Sequence, residues 1–294
     1  MTEVDFIFAI NVYNRIDVLL KQFENFNNYI KSSYIVLLHC GINMYKELQN
    51  IELPKNVIIN PIYYDKNNPH TDNIHKSSFC SPKLAQGQYD NIIYSLNNYV
   101  FKYLIVLSSK TFFYNILKID NLYNMEKENV IPNNYNGIGW PPLGNYNEWH
   151  WPRIHNSEFF KYYRYTRNCH LYCMPSEGIV YNYNNCKIIK DFFENNKNLH
   201  EDVFNKMSAV VDEFLFQTII ANDGKGLLYI GNGHCNPIKL DPNKYLIKIE
   251  VDHRDIQTNI NVRGTDNYIC DKNDLLDSYN LNNLYKIKYD IKTI

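Results

Sequence analysis

Several widespread signatures are missing from this sequence, and each absence narrows the chemistry. It holds no G-x-x-x-x-G-K-[ST] loop, no G-x-G-x-x-G turn and no G-x-S-x-G elbow. That excludes the phosphate-cradling loop, the dinucleotide fingerprint and the serine nucleophile on a strained turn. The isolated G-x-G in "GNGHC" carries no weight by itself. No stretch approaches the roughly 20 apolar residues of a membrane-spanning helix. The opening "MTEVDFIFAINVYNR" has neither a basic segment nor a long apolar run, so no signal peptide is expected. An excess of either charge is also lacking: 30 Lys and Arg face 31 Asp and Glu. Nucleic-acid binding through bulk electrostatics is therefore not expected, although a local basic pocket for a diphosphate is compatible with this balance. The seven cysteines are odd in number and irregularly spaced, so they form no disulfide framework. Cys169 and Cys173 flank His170, but a metal centre would need more ligands at regular spacing, and reduced thiols are the expected state. The pairs His70/His75 and His150/His155 have no zinc spacing either. From these absences a cytoplasmic protein with no membrane span is expected.

What is present is α/β patterning. The 294 residues are 45% hydrophobic, enough for a sizeable core. Tyrosine (26 residues) and asparagine are spread along the whole chain, as an AT-rich coding bias would spread them. Asp5–Ile10 and Tyr34–His39 read as buried strands. Between them, from Asp17, the positions Leu19, Leu20, Phe23, Phe26 and Ile30 recur at helical spacing. Strand, helix, strand predicts a βαβ unit and a parallel sheet. The segment 56–64 predicts a third strand, 86–99 a helix with Tyr89, Ile92, Ile93, Leu96 and Tyr99 on one face, and Tyr103–Leu107 another buried strand. Further helices are expected over 185–196 and 210–222, and a short strand over 227–230. No internal repeat, linker or domain boundary is visible.

The strand at 103–107 runs into Ser108, Ser109 and Lys110 rather than into D-x-D. Enzymes that grip a sugar nucleotide through Mn²⁺ or Mg²⁺ need carboxylates at that point, because the ion neutralises the diphosphate. The nearest acidic substitute, Glu250-x-Asp252, lies far downstream. Asp212 and Glu213 open an apolar helix, where the helix dipole favours acidic residues; facing a cleft, the same carboxylate would serve as a general base. The loop 132–155 carries Trp140, Trp149 and Trp151 with Glu148. Its rings either pack the loop down or offer the flat apolar platform a sugar needs.

Four segments in order resemble the core-2/I-branching β-1,6-N-acetylglucosaminyltransferase and O-xylosyltransferase family: "FIFAINVYNRIDVLLKQF" with "VLLHCG", "GQYDNIIYSLNNYVFKYLIVLSSKTFFY", "SEGIVYNYNNCKIIKDFF" and "VVDEFLFQTIIAN". The matches span most of residues 5–225, and "DEFLFQTIIAN" is the most specific. The resemblance implies a GT-A-type, Rossmann-like α/β fold with a mixed, mostly parallel sheet flanked by helices. It also implies an inverting, metal-independent glycosyl transfer with no cofactor. The glutamate of the family's "PDE" aligns with Glu213, which becomes the base, with Asp212 beside it raising its basicity slightly. The family's basic C-terminal motif aligns with "NVRGTDN", which keeps Arg263 and Asp266 but has Gly264 where a lysine is expected. Arg254, Lys248 or Lys272 is then the replacement cation. "SSK" stands where the family has "SGxD", and "HCG" where it has "HxD".

The expected arrangement is one domain over 1–294, with a donor half of about 1–115 and a catalytic and acceptor half of about 116–294. Donor contacts are expected at Asn11, Val12, Arg15, His39, Ser108, Ser109, Lys110, Arg254 and Arg263. Ligands of open parallel sheets bind at the carboxyl ends of the strands. Acceptor contacts are expected at Glu148, Trp149, Trp151, Glu177 and Gly178. The partners would be a nucleotide sugar, UDP-linked and carrying an N-acetylhexosamine or xylose, and a glycan hydroxyl. The absence of an anchor and the coding bias point to a bacterial or large-DNA-virus enzyme. The alternative is a nucleotide-sugar- or carbohydrate-binding protein on the same fold without catalysis.

Overall fold

Alternation along the apolar strands decides which side of the sheet each residue serves. In β1 (Thr2–Val12), Ile7 and Ala9 join one buried cluster while Phe6, Phe8, Ile10 and Val12 join another. In β2 (Tyr34–Cys40), Leu37 faces the first cluster and Val36, Leu38 and Cys40 the second. In β4 (Tyr99–Ser108), Leu104 and Val106 oppose Tyr103, Ile105 and Leu107. Strands apolar on both faces need cover on both, which is the requirement of a parallel sheet.

The computed structural model describes residues 1–12, 16–61, 83–109, 111–113, 116–127, 156–169, 171–172, 176–207, 211–224, 228–230 and 247–250. Helix α1 (Ile16–Tyr29) follows β1, and α2 (Ile42–Leu48) and β3 (Val57–Ile59) follow β2. Next come α3 (Lys83–Asn98), β4, β5 (Thr111–Phe113), α4 (Ile119–Lys127) and α5 (Glu158–Lys161). The later elements are β6 (Ile179–Asn182), α6 (Tyr183–Asn195), α7 (Lys197–Glu201), α8 (Leu215–Asp223), β7 (Leu228–Tyr229) and β8 (Ile247–Glu250). Single π-helical turns extend α5 and α7, over Tyr162–Thr166 and Asp202–Lys206.

The protein has a mixed α/β fold. Its six-stranded sheet has the order β3-β2-β1-β4-β6-β7. The first four strands are mutually parallel, β6 runs against β4, and β7 runs against β6. Helices α3, α6 and α8 cover one face, with Tyr89, Ile92, Ile189, Phe193 and Ile219 in the core. Helices α1, α2 and α4 cover the other through Phe23, Phe26, Met44, Leu48 and Leu122. Each fully buried large side chain contributes on the order of 1.5–3 kcal/mol, so these two layers dominate stability.

Polar clamps fix what the apolar layers leave free. Gln22 on α1 donates to the carbonyls of Ser108 and Thr111 at 2.8 and 2.6 Å. Asn25, one turn on, donates to the Phe113 carbonyl at 2.8 Å and accepts from its N–H at 2.7 Å. Together they seat β5 against α1. Tyr103 and Asn182 donate to the two oxygens of Glu126, at 2.7 and 3.0 Å, and so hold α4 on β4 and β6. Arg167 pairs with both oxygens of Asp223 at 2.6 and 2.8 Å, tying the first π turn to the end of α8.

The predicted strands and helices recur with shifted ends. The helix expected over 210–222 begins at Leu215, and Asp212–Phe214 form a turn before it. Tyr99, expected on the helix face, opens β4 instead. The third strand is three residues long, Val57–Ile59, and the rest of its predicted span, from 62, lies outside the described residues. Among the described residues no helix is long and apolar enough to cross a membrane.

Candidate active site

The carboxyl edge of the sheet brings four of the predicted donor residues, Asn11, Val12, His39 and Ser108, into one row. Asn11 pairs in register with His39 on one side and with Ser108 on the other, and Val12 pairs with Cys40. Helix α3 closes over this row. Asn11 donates to the Leu84 carbonyl at 2.9 Å. His39 Nε2 lies 3.4 Å from Asp90 Oδ2, and Asp90 accepts from Gln86 at 2.9 Å. His39 and Val12 are wholly buried and Asn11 is 9% exposed, so this edge is a sealed polar layer beneath the surface. Burial holds the His39 pKa below its ordinary value, with Asp90 opposing only in part. The imidazole is therefore neutral near physiological pH.

Gln86 and Asp90 were not among the predicted site residues. Their i, i+4 spacing, which sets both on one side of α3, is the signal that points to them. Ser108 is drawn into the turn toward β5: its hydroxyl lies 3.0 Å from Thr111 Oγ1, and its N–H donates to the same oxygen at 3.2 Å. Ser109 is buried.

The antiparallel direction of β6 brings a second group of residues to this edge. The turn before β6 holds Ser176, Glu177 and Gly178. Gly178 N–H donates to the Val106 carbonyl at 2.7 Å, and the Gly178 carbonyl accepts from Ile230 N–H at 2.8 Å. Gly178 has φ of 99°, a backbone conformation that disfavours any residue with a Cβ. Ser176 Oγ lies 3.0 Å from Asp212 Oδ2 in buried surroundings and links this turn to the turn at 212–214. Gln217 on α8 donates to the Asp212 carbonyl at 2.8 Å and fixes the second turn from behind. Glu177, predicted for the acceptor, and Asp212 and Glu213, predicted for catalysis, are thus neighbours.

The carboxyls in this group are not equivalent. Asp212 is 5% exposed, whereas Glu213 and Glu177 are half-buried. Desolvation, reinforced by the charges of Glu213 and Glu177, pushes the Asp212 carboxyl up to about 8, against a smaller opposing effect of the Ser176 hydroxyl. The sequence leads to the expectation that Asp212 raises the basicity of Glu213, and burial works against it. A carboxyl raised this far is a weaker source of negative charge near neutral pH than an ordinary aspartate.

The ribbon formed by β5 and β8 places Glu250 opposite Thr111 in the antiparallel register. The acidic residue that is distant in sequence is therefore close to the end of β4 in the fold. Among the described residues, no group of three or more His, Cys, Asp or Glu side chains is arranged to hold a metal ion. Arg15, Lys110, Arg254, Arg263, Glu148, Trp149 and Trp151 lie outside the described residues. No family model matches the chain, and no curated protein is significantly similar to it.

Proposed function

We propose that this protein is an inverting glycosyltransferase of GT-A type that moves a sugar from a nucleotide diphosphate, UDP in the first instance, to a glycan hydroxyl, with Glu213 as general base. The observation that carries the reading is the meeting of the 176–178 and 212–214 turns through the Ser176–Asp212 contact. It gathers Glu177, Asp212 and Glu213, the residue types that a general base and a polar acceptor contact call for.

Glu213 combines partial exposure with a position just before α8, whose N-terminal dipole favours a negative charge there. In the proposed reaction Glu213 takes the proton of the acceptor hydroxyl as its oxygen attacks the anomeric carbon. The bond from that carbon to the diphosphate oxygen breaks on the opposite side. The electron pair leaves with the diphosphate, which fixed cations stabilise; Arg254 and Arg263 are the proposed suppliers. The sealed layer of Asn11, His39, Gln86 and Asp90 would then act as a rigid floor for the donor side.

The test is a panel of UDP-, GDP- and dTDP-sugars in thermal-shift assays, followed by donor hydrolysis and transfer with the wild type and Glu213→Gln. A donor that raises the melting temperature by mass action and is turned over only when Glu213 is present supports the reading. A second reading, a sugar-nucleotide-binding protein without catalysis, is favoured by Gly264 standing where the resembled family has a lysine. It predicts the same thermal shift with no hydrolysis in either protein.

A further inference from the structure

A buried ionised carboxylate requires several donors or a cation. Among the described residues Asp212 has no cation and few donors: Oδ2 meets the Ser176 hydroxyl at 3.0 Å, its own backbone N–H adds a smaller contribution, and Oδ1 has no hydrogen-bonding partner. The charged groups that face it are Glu213 on its own turn and Glu177 on the turn before β6, both of its own sign, and it forms no ion pair among the described residues. Ser176, itself buried, and the Gln217 amide on the Asp212 backbone carbonyl hold the carboxyl in place without neutralising it.

We propose that Asp212 is the proton-holding member of this three-carboxyl group, a positioning residue whose ionisation closes the working pH range of the site on the alkaline side. While Asp212 is neutral, the group carries no more than the two charges of Glu213 and Glu177. Once it ionises, a third negative charge appears in a poorly screened interior beside the place proposed for a diphosphate. Donor affinity then falls, and the turn itself is strained by a charge it cannot solvate. The burial that raises the carboxyl to about 8 places this transition just above neutrality. The statement about protonation stands on the contacts of Asp212 alone, whereas the statement about donor affinity rests on the proposed function.

The experiment compares thermal unfolding of the full chain across about pH 5 to 9 for wild type, Asp212→Asn and Glu177→Gln, together with UDP binding by calorimetry. In the folded wild type Asp212 keeps a proton that the unfolded chain has released, so its contribution to stability falls as pH rises toward and through about 8. Asp212→Asn, which mimics the neutral acid, lacks this fall. Parallel wild-type and Asp212→Asn curves overturn the assignment. Glu177→Gln removes one of the two charges that raise the carboxyl, so the step moves to lower pH; an unmoved step overturns the assignment even where Asp212→Asn fails to fold. UDP affinity in the wild type is expected to drop several-fold over the same interval. A thermal step with pH-independent UDP affinity overturns the link to the donor and leaves the protonation standing. UDP failing to bind at any pH counts against the nucleotide-sugar reading, and the thermal step still decides the protonation of Asp212.

Discussion

Gly87 and His39 are in such close contact that a methyl group on Gly87 would lie 2.6 Å from His39 Cε1, and 2.5 Å from Asn11 Oδ1 as well. This is why α3 can lie directly on the ends of β1 and β2. Gly87→Ala is expected to destabilise the protein. Overpacking costs about 1–3 kcal/mol, and the better helix propensity of alanine offsets only up to about 1 kcal/mol of it. Urea denaturation measures the difference, and a variant more stable than wild type would show that α3 can lift off the strands freely.

Glu213→Gln should retain the wild-type melting temperature and donor binding while transfer falls by ~10²–10⁴-fold. The side chain is half-buried and the glutamine is isosteric, so folding has little reason to change. Near-normal turnover in this variant would remove Glu213 from the mechanism.

Turnover should survive EDTA and gain nothing from added Mn²⁺, because the strand that usually presents D-x-D ends here in Ser108 and Ser109, with the Ser108 hydroxyl engaged by Thr111. An enzyme silenced by chelation and restored by Mn²⁺ would contradict this. Attention would then move to Glu250, opposite Thr111.

The buried histidines should contribute a loss of stability in acid, opposite in sign to the contribution of Asp212. Burial lowers the pKa of both His39 and His200, so the unfolded chain binds protons that the folded chain refuses. Stability is present above the unfolded value of about 6.5 and falls as pH drops below it. Between about pH 5 and 7 the denaturant midpoint of the wild type should rise relative to that of His39→Asn. An equal change in both would mean that His39 accepts a proton without cost.

Asn25→Ala removes both hydrogen bonds to Phe113 and leaves two buried backbone groups unsatisfied. The expected loss is on the order of 2–4 kcal/mol, read as an earlier denaturation midpoint. A shift below about 0.5 kcal/mol would mean that other contacts hold β5 in place.

The parallel part of the sheet was legible because its strands are long, apolar on both faces and separated by a helix of clear period, as in Phe6–Val12, Leu19–Phe26 and Val36–His39. Strand β6 was harder to recognise: Ile179–Asn182 is four residues long and passes directly into α6, so periodicity cannot separate them. The pairing of Thr111–Phe113 with Ile247–Glu250 joins two short segments far apart in sequence, and no local pattern announces it. At the site, the carboxylates could be nominated as residue types. Which of them is buried depends on Ser176 meeting Asp212 across the fold, a relationship absent from local sequence. The engagement of Ser108 by Thr111 and Gln22 was likewise invisible, since Gln22 comes from α1.

The late arrival of β8 also sets an order of events during synthesis. Residues 111–113 leave the ribosome long before residues 247–250, and chains begin to fold from the N-terminal side as they emerge. Through that interval one edge of β5 offers unpaired backbone groups to any passing strand. Gln22 and Asn25, already in place on α1, hold the other side of the segment in the meantime. The nascent chain would therefore be most open to wrong pairing, and to chaperone capture, between completion of the parallel strands and delivery of β8.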